Sequence, residues 1–195
     1  MAVIPMASLS LIQDLMGAGR LESAWDILIK NPLSLEDLDY QKVLKDLDRD
    51  RDLATQNGET RAVNRLKRRI YALKGFRKDG LIPEKLMPLV DFHQGYHGKV
   101  LLIRMVGGVA NGLICLRSGD DWHREILQNT REEIQDLGFD KSRATPIGGA
   151  WVRFDPEDTI QIYGTSDEFG ACDKNIAAEL IKHVFPEKKI YIHHS

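Results

Sequence analysis

Residues 99–106 read K-V-L-L-I-R-M-V, an almost unbroken β-prone apolar run that fits a strand covered on both faces. Gly107-Gly108 follows, and residues 109–116, V-A-N-G-L-I-C-L, then read as a second strand after a turn. A β-hairpin is therefore predicted here. Everything before it carries a different period.

From the N-terminus to about Val90 the apolar residues recur at helical spacing. Leu9, Ile12, Leu15 and Met16 stop at Gly17 and Gly19; Leu21, Ala24, Trp25 and Leu28 then run until Asn31-Pro32, which predicts a hairpin of two short helices. Ser34 and Asp37 resemble a capping box ahead of Leu35, Leu38, Val43, Leu44 and Leu47, with Gly58 as the stop. Val63, Leu66, Ile70 and Leu73 mark a fourth helix. Pro83 suits the first turn of a fifth, with Leu86, Leu89 and Val90 inward. Residues 19–28, G-R-L-E-S-A-W-D-I-L, look like half of a helical-hairpin repeat, but no second copy follows at a fixed period.

Beyond the hairpin, Ser118 and Asp121 form another capping-box signature, and Trp122, Ile126, Thr130, Ile134 and Leu137 form the buried stripe of a helix ending at Gly138. Residues 147–154 and 159–163 read as strands separated by the turn Asp155-Pro156-Glu157-Asp158. Asp173 suits the cap of a last helix whose Ile176, Leu180 and Val184 face inward until Pro186; residues 190–192 close the order as a strand. The order β-β-α-β-β-α-β predicts an α/β (α+β) fold, a mixed β-sheet flanked by two helices over residues 96–195, preceded by an all-α domain or arm over residues 1–92.

Composition narrows the function. The 27 Lys and Arg nearly balance the 29 Asp and Glu, so net charge calls for neither nucleic acid nor an anionic membrane as partner. No apolar run approaches a membrane span, and residues 1–16 lack the charged start and apolar centre of a secretory signal, which predicts a cytoplasmic protein. Cys115 and Cys172 are too few for a disulfide framework, and no Cys/His spacing resembles a zinc site; no metal or other cofactor is expected. His193-His194 reads as an exposed tail or as a chelating pair.

Chemistry concentrates in two places. Residues 163–174, Y-G-T-S-D-E-F-G-A-C-D-K, leave an apolar strand through a Gly-bounded loop and enter an amphipathic helix, a place where backbone N–H groups can cradle an anion. Trp122-His123 puts an imidazole near the start of another helix, where the positive helix end disfavours its protonated form and leaves a neutral ring able to accept a proton. A histidine beside a tryptophan can equally be a boundary residue satisfied by a carbonyl. Cys172, where loop meets helix, can be an activated thiol or a small buried apolar residue.

The ordered pieces K-V-L-L-I-R, W-H-x-x-I, I-G-G-A, I-x-I-Y-G-T-S-x-x-F-G and the helix ending F-P-E-K-K-I-Y resemble the Janus and 14 kDa phosphohistidine phosphatase family over residues 99–191, roughly half the chain. The resemblance implies hydrolysis of phosphate from protein histidine without a metal. It implies His123 as catalytic base, Lys99 as a phosphate contact, and Ser166 with the backbone amides around Glu168 and up to Gly170 as the phosphate loop. Three positions depart from the family pattern. Asp167 and Glu168 stand where small or neutral residues are usual; Trp151 stands at the place of a basic residue, with Arg153 on the same strand face as its replacement; and Arg117 is displaced from the family's arginine. The expected partner is a phosphorylated protein substrate, and the alternative is a catalytically inactive Janus-like protein used for binding or regulation.

Finally, Arg61, Arg65, Lys67, Arg68, Arg69, Lys74, Arg77 and Lys78 fall in one segment without a carboxylate. Either they form a surface for acidic or phosphate-rich partners, or they are neutralised by Glu36, Asp37, Asp39, Asp46, Asp48, Asp50 and Asp52 of the preceding segment; the second reading is preferred. No aromatic residues alternate with the cations, so nucleic acid is not the expected partner. A protein partner can instead use residues 1–90.

Overall fold

The computed structural model describes residues 6–30, 38–119 and 122–194, except the side chains of residues 6–8. The chain divides into two compact units: a helical one of Met1–Met87, Gly107–Ala110 and Glu132–Ser142, and a sheet-containing one of Pro88–Val106, Asn111–Arg131 and Arg143–Ser195.

In the helical unit α1 (Met6–Gly17), α2 (Leu21–Leu28), α3 (Tyr40–Gln56), α4 (Thr60–Asp79) and the single turn α5 (Pro83–Leu86) follow the predicted order. Ile12, Leu21, Leu47, Ile70 and Leu73 are buried, and Phe76 is inaccessible with its ring edge-on to Trp25 at 5.7 Å, a favoured aromatic geometry. α3 starts later than its apolar spacing suggests. Asp39 is its cap, accepting from the Lys42 amide at 3.1 Å, and Leu38 precedes the helix. Asn31-Pro32 and the Ser34/Asp37 box, with Leu35, Glu36 and Asp37, lie outside the described residues. Leu89 and Val90 fall beyond α5, and Val90 bridges to Leu116 in the sheet-containing unit.

The charge pairing differs from expectation. α3 neutralises itself: Arg49 pairs with Asp46 and Asp50, and Arg51 with Asp48 and Asp52. Partners three residues away or adjacent are reached more easily than those on a neighbouring helix, so the cations of α4 are not matched by these acids.

Glu22 was not anticipated. It is 1% exposed, yet its carboxylate accepts from the Val109 amide at 2.8 Å, the Ser142 hydroxyl at 2.7 Å and the Lys141 amide. A buried carboxylate is tolerated when so satisfied, and this one ties residues 107–110 and 140–142 into the helical unit.

The second unit holds β1 (His97–Val106), β2 (Ile114–Ser118), the start of α6 (His123–Asp136), β3 (Arg143–Asp155), β4 (Thr159–Tyr163), α7 (Lys174–Val184) and β5 (Lys189–Ile192). Its five-stranded sheet has the order β2-β1-β3-β4-β5, antiparallel except for the parallel pair β4/β5. The fold is α+β. β2 is shorter than predicted because Gly107, Gly108 and Gly112 take positive φ and keep the chain turning up to Leu113.

One sheet face carries Val100, Leu102, Leu116, Ala150, Val152, Ile160 and Ile162 and is covered by Ala177 and Ile181 of α7. The predicted stripe of α7 is thus turned by one residue. Ile176 and Leu180 flank the contact, and Val184 is 43% exposed; small Ala177 permits the close approach. Asp173 caps the helix as expected, accepting from Asn175 and Ile176 amides. α6 departs likewise: Trp122 precedes it and is 54% exposed, whereas His123, Ile126, Thr130, Ile134 and Leu137 are buried. Asp121 of its predicted cap lies outside the described residues. Among the described residues no helix is long and apolar enough to cross a membrane.

Replacing Glu22 by Ala takes the acceptor from the Val109 and Lys141 amides, while the Ser142 hydroxyl keeps the Gly107 carbonyl at 3.1 Å. Urea denaturation of Glu22→Ala is expected to show a loss of about 3 kcal/mol; a loss below about 1 kcal/mol would rule out the carboxylate as an anchor.

Candidate functional site

The site is built on β3 where it carries no side chain. The Gly149 amide donates to the Gly170 carbonyl at 2.9 Å, and the Cys172 amide to the Gly149 carbonyl at 3.2 Å, so the loop after β4 runs along β3 like a short parallel strand. Gly148 has φ +121, and a Cβ there would lie 2.4 Å from the Ala171 carbonyl oxygen. A Cβ on Gly149 would lie 2.6 Å from His123 Nε2 and 2.8 Å from Ser166 Cβ. The glycine pair thus lets His123 and Ser166 meet over bare backbone.

Within the loop the Ser166 amide donates to the Gly170 carbonyl at 3.2 Å and the Gly170 amide to the Ser166 carbonyl at 2.9 Å. The buried Ser166 hydroxyl accepts from the Phe169 amide at 3.2 Å. Three loop amides are therefore occupied. Those of Asp167 and Glu168 have no acceptor among the described residues, and they remain as donors for an anion.

His123 is 5% exposed, its Nε2 3.3 Å from the Ala150 carbonyl oxygen. Burial pushes its pKa below the ordinary value; Lys99 adds to this, while the Ala150 and Val100 carbonyls and Glu168 oppose it. The neutral ring is favoured. A neutral imidazole carries one N–H, which the Ala150 and Val100 carbonyls can accept, and one nitrogen able to take a proton.

Lys99 lies between two indoles. Its Nζ is 5.0 Å from the Trp122 ring centroid and 5.4 Å from that of Trp151, within cation–π range. Trp151 is the register partner of Lys99 and of Tyr163, on whose ring it stacks at 6.3 Å. Arg124 covers Trp122 at 5.4 Å. The residue at the family's basic position therefore holds a cation rather than supplying one.

Glu168 turns its carboxylate to the start of α6, accepting from the Arg124 amide at 3.1 Å with the Arg124 guanidinium 3.8 Å away. The unsatisfied N–H groups and positive dipole end of a helix stabilise an acid there. Asp167 is exposed.

The structure thus gathers His123, Ser166 and Gly170 around Gly149, with Lys99 and Glu168 close enough to His123 to act on its charge. Two predicted residues are turned to other partners. Arg153 bonds Asp155 at 2.8 Å on its own strand. Arg117 is 4% exposed, its guanidinium 3.3 Å from the Asp91 carboxylate and donating to the Pro88 carbonyl. Cys172 is buried, which pushes its thiol upward in pKa; it behaves as a packing residue. His193 is exposed but not loose, since its amide donates to Ile162 and its ring meets Gln161.

A mixed five-stranded sheet with a buried imidazole, a π-held lysine and a glycine-bounded loop at one place defines this α+β domain. The sequence profile of the Janus/Ocnus family matches residues 85–189, and the chain belongs to that family. Comparison with curated proteins gives no match.

Gly149→Ala must displace either the imidazole or the loop. A loss of about 1–3 kcal/mol is expected from thermal or urea melts, and the backbone resonances of Ser166 and Gly170 should shift; an unchanged spectrum would contradict the close approach. His123 also makes stability pH-dependent. The unfolded ring protonates near about pH 6.5, the folded one only at lower pH, so between these values the unfolded state binds more protons and acidification costs stability. Above about pH 6.5 this contribution is complete. In urea melts across that window His123→Gln should lose less stability on acidification than the parent; parallel profiles would refute it.

Proposed function

We propose that this chain is a cytoplasmic, metal-independent hydrolase of phosphoramidate bonds that removes phosphate from phosphohistidine on a protein, with the helical segment serving recruitment or self-association. The reading is carried by one observation: a buried imidazole held neutral by its surroundings sits against Gly149 and Ser166, with the Lys99 ammonium near enough to influence it. That pairing suits proton abstraction beside a dianion.

The chemistry needs little covalent help from the protein. A water oxygen forms the new P–O bond, its proton passes to the neutral ring of His123, and the P–N bond breaks as the leaving imidazole takes up a proton from solvent. Lys99 and the Asp167 and Glu168 amides would carry the charge on the phosphoryl oxygens. Glu168 supports this role, because its carboxylate is engaged by α6 while its amide is available.

That same carboxylate favours a second reading, a binding or regulatory protein without turnover, since it already occupies the helix N-terminus that an anion would seek.

Release of inorganic phosphate from a phosphohistidine-bearing protein is the deciding measurement. The parent should turn over, and His123→Ala should be slower by about a hundredfold or more. Equal release by both would refute His123 as base; no release by the parent, with saturable binding of the phosphorylated protein, would establish the second reading.

A further inference from the structure

Within the helical unit, Arg61, Asn64, Arg65, Arg68 and Arg69 of α4 border a groove of about 460 Å³ completed by Glu132, Gln135 and Asp136. Spacings of three, four and eight residues place the four arginines on one helical stripe. Arg68 is engaged by Asp136 at 3.1 Å. Among the described residues Arg61, Arg65 and Arg69 have no carboxylate within ion-pair distance, and α3, whose acids pair with its own arginines, supplies none. Arg69 passes close to Gly19: its Nε is buried without a hydrogen-bond partner, and a Cβ on Gly19 would lie 2.6 Å from it. Burial and then the neighbouring Arg65 disfavour its charge, with Asp136 opposing them. The groove is therefore a surface with a cationic surplus and like charges crowded against one another, a state that a bound anion relieves.

The choice of anion follows from shape and lining. From Arg61 to Arg69 the stripe extends about 12 Å, longer than a single phosphate and matched to successive charges on an extended chain. A single-stranded nucleic acid would find no ring to stack on among the lining residues. We propose that this groove docks a carboxylate-rich segment of a protein partner.

Fluorescence anisotropy with labelled oligoglutamate tests this on the full chain. Arg61 and Arg65 are exposed, so Arg61→Gln/Arg65→Gln should keep the far-UV circular dichroism of the parent. Saturable binding is expected, weakened about tenfold in that double variant and by less than about twofold in Lys67→Gln/Lys78→Gln, which removes equal charge from the other flank of α4. Absence of binding, equal weakening by the two double variants, or tighter binding of single-stranded oligouridylate at the same ionic strength would each overturn the proposal. All readouts are of binding, so the result is independent of phosphate release.

Discussion

The site depends on a seam of backbone hydrogen bonds at which β3 offers no side chain. Gly149 gives its amide to Gly170 and its carbonyl to Cys172, and these two bonds fix the loop against the strand at the distance of paired β-strands. A Cβ on Gly148 would collide with the Ala171 backbone, and one on Gly149 with His123 and Ser166. The Ser166 side chain and the His123 ring both approach the place where a Gly149 Cβ would stand, so the local absence of atoms, rather than the presence of any one group, sets the geometry of these side chains.

Electrostatics follow from this packing. His123 lies in a poorly solvated place with a cation nearby, and both conditions favour its neutral form. Lys99 lies between the faces of Trp122 and Trp151, whose quadrupoles hold an ammonium without neutralising it. Glu168, the residue most opposed to an anion, is directed to the first turn of α6, where partial positive charge meets it. Three ionisable groups close in space are thus kept in different states by different partners: carbonyls and apolar atoms, aromatic faces, and a helix end.

The order of elements was legible because period-3.6 and period-2 patterns are local properties: α4 and β1 follow from their own residues, and Asp173 announces the α7 cap. The residues gathered around Gly149 lie within the motifs that the sequence sets in order. What failed was orientation and pairing. Trp122 belongs to an apolar spacing but lies just before its helix, so an aromatic residue counted into the core serves instead as a lid over Lys99. Trp151 looked like a missing basic residue because its relation to Lys99 exists only in the β1/β3 register, some fifty residues apart in the chain. The acids of α3 chose near neighbours over a facing helix, and Glu22 found its donors about ninety and one hundred and twenty residues onward. Local sequence encodes none of these distances.

The placement of the three tryptophans has an optical meaning. Trp25 lies edge-on to Phe76 in the helical unit, whereas Trp122 and Trp151 flank a single ammonium in the other. Indole emission from the second pair is therefore tied to where the Lys99 side chain resides, and a Trp25→Phe protein would glow only from that pair. The chain contains a built-in spectroscopic gauge of the lysine's occupancy between its rings, readable without any label.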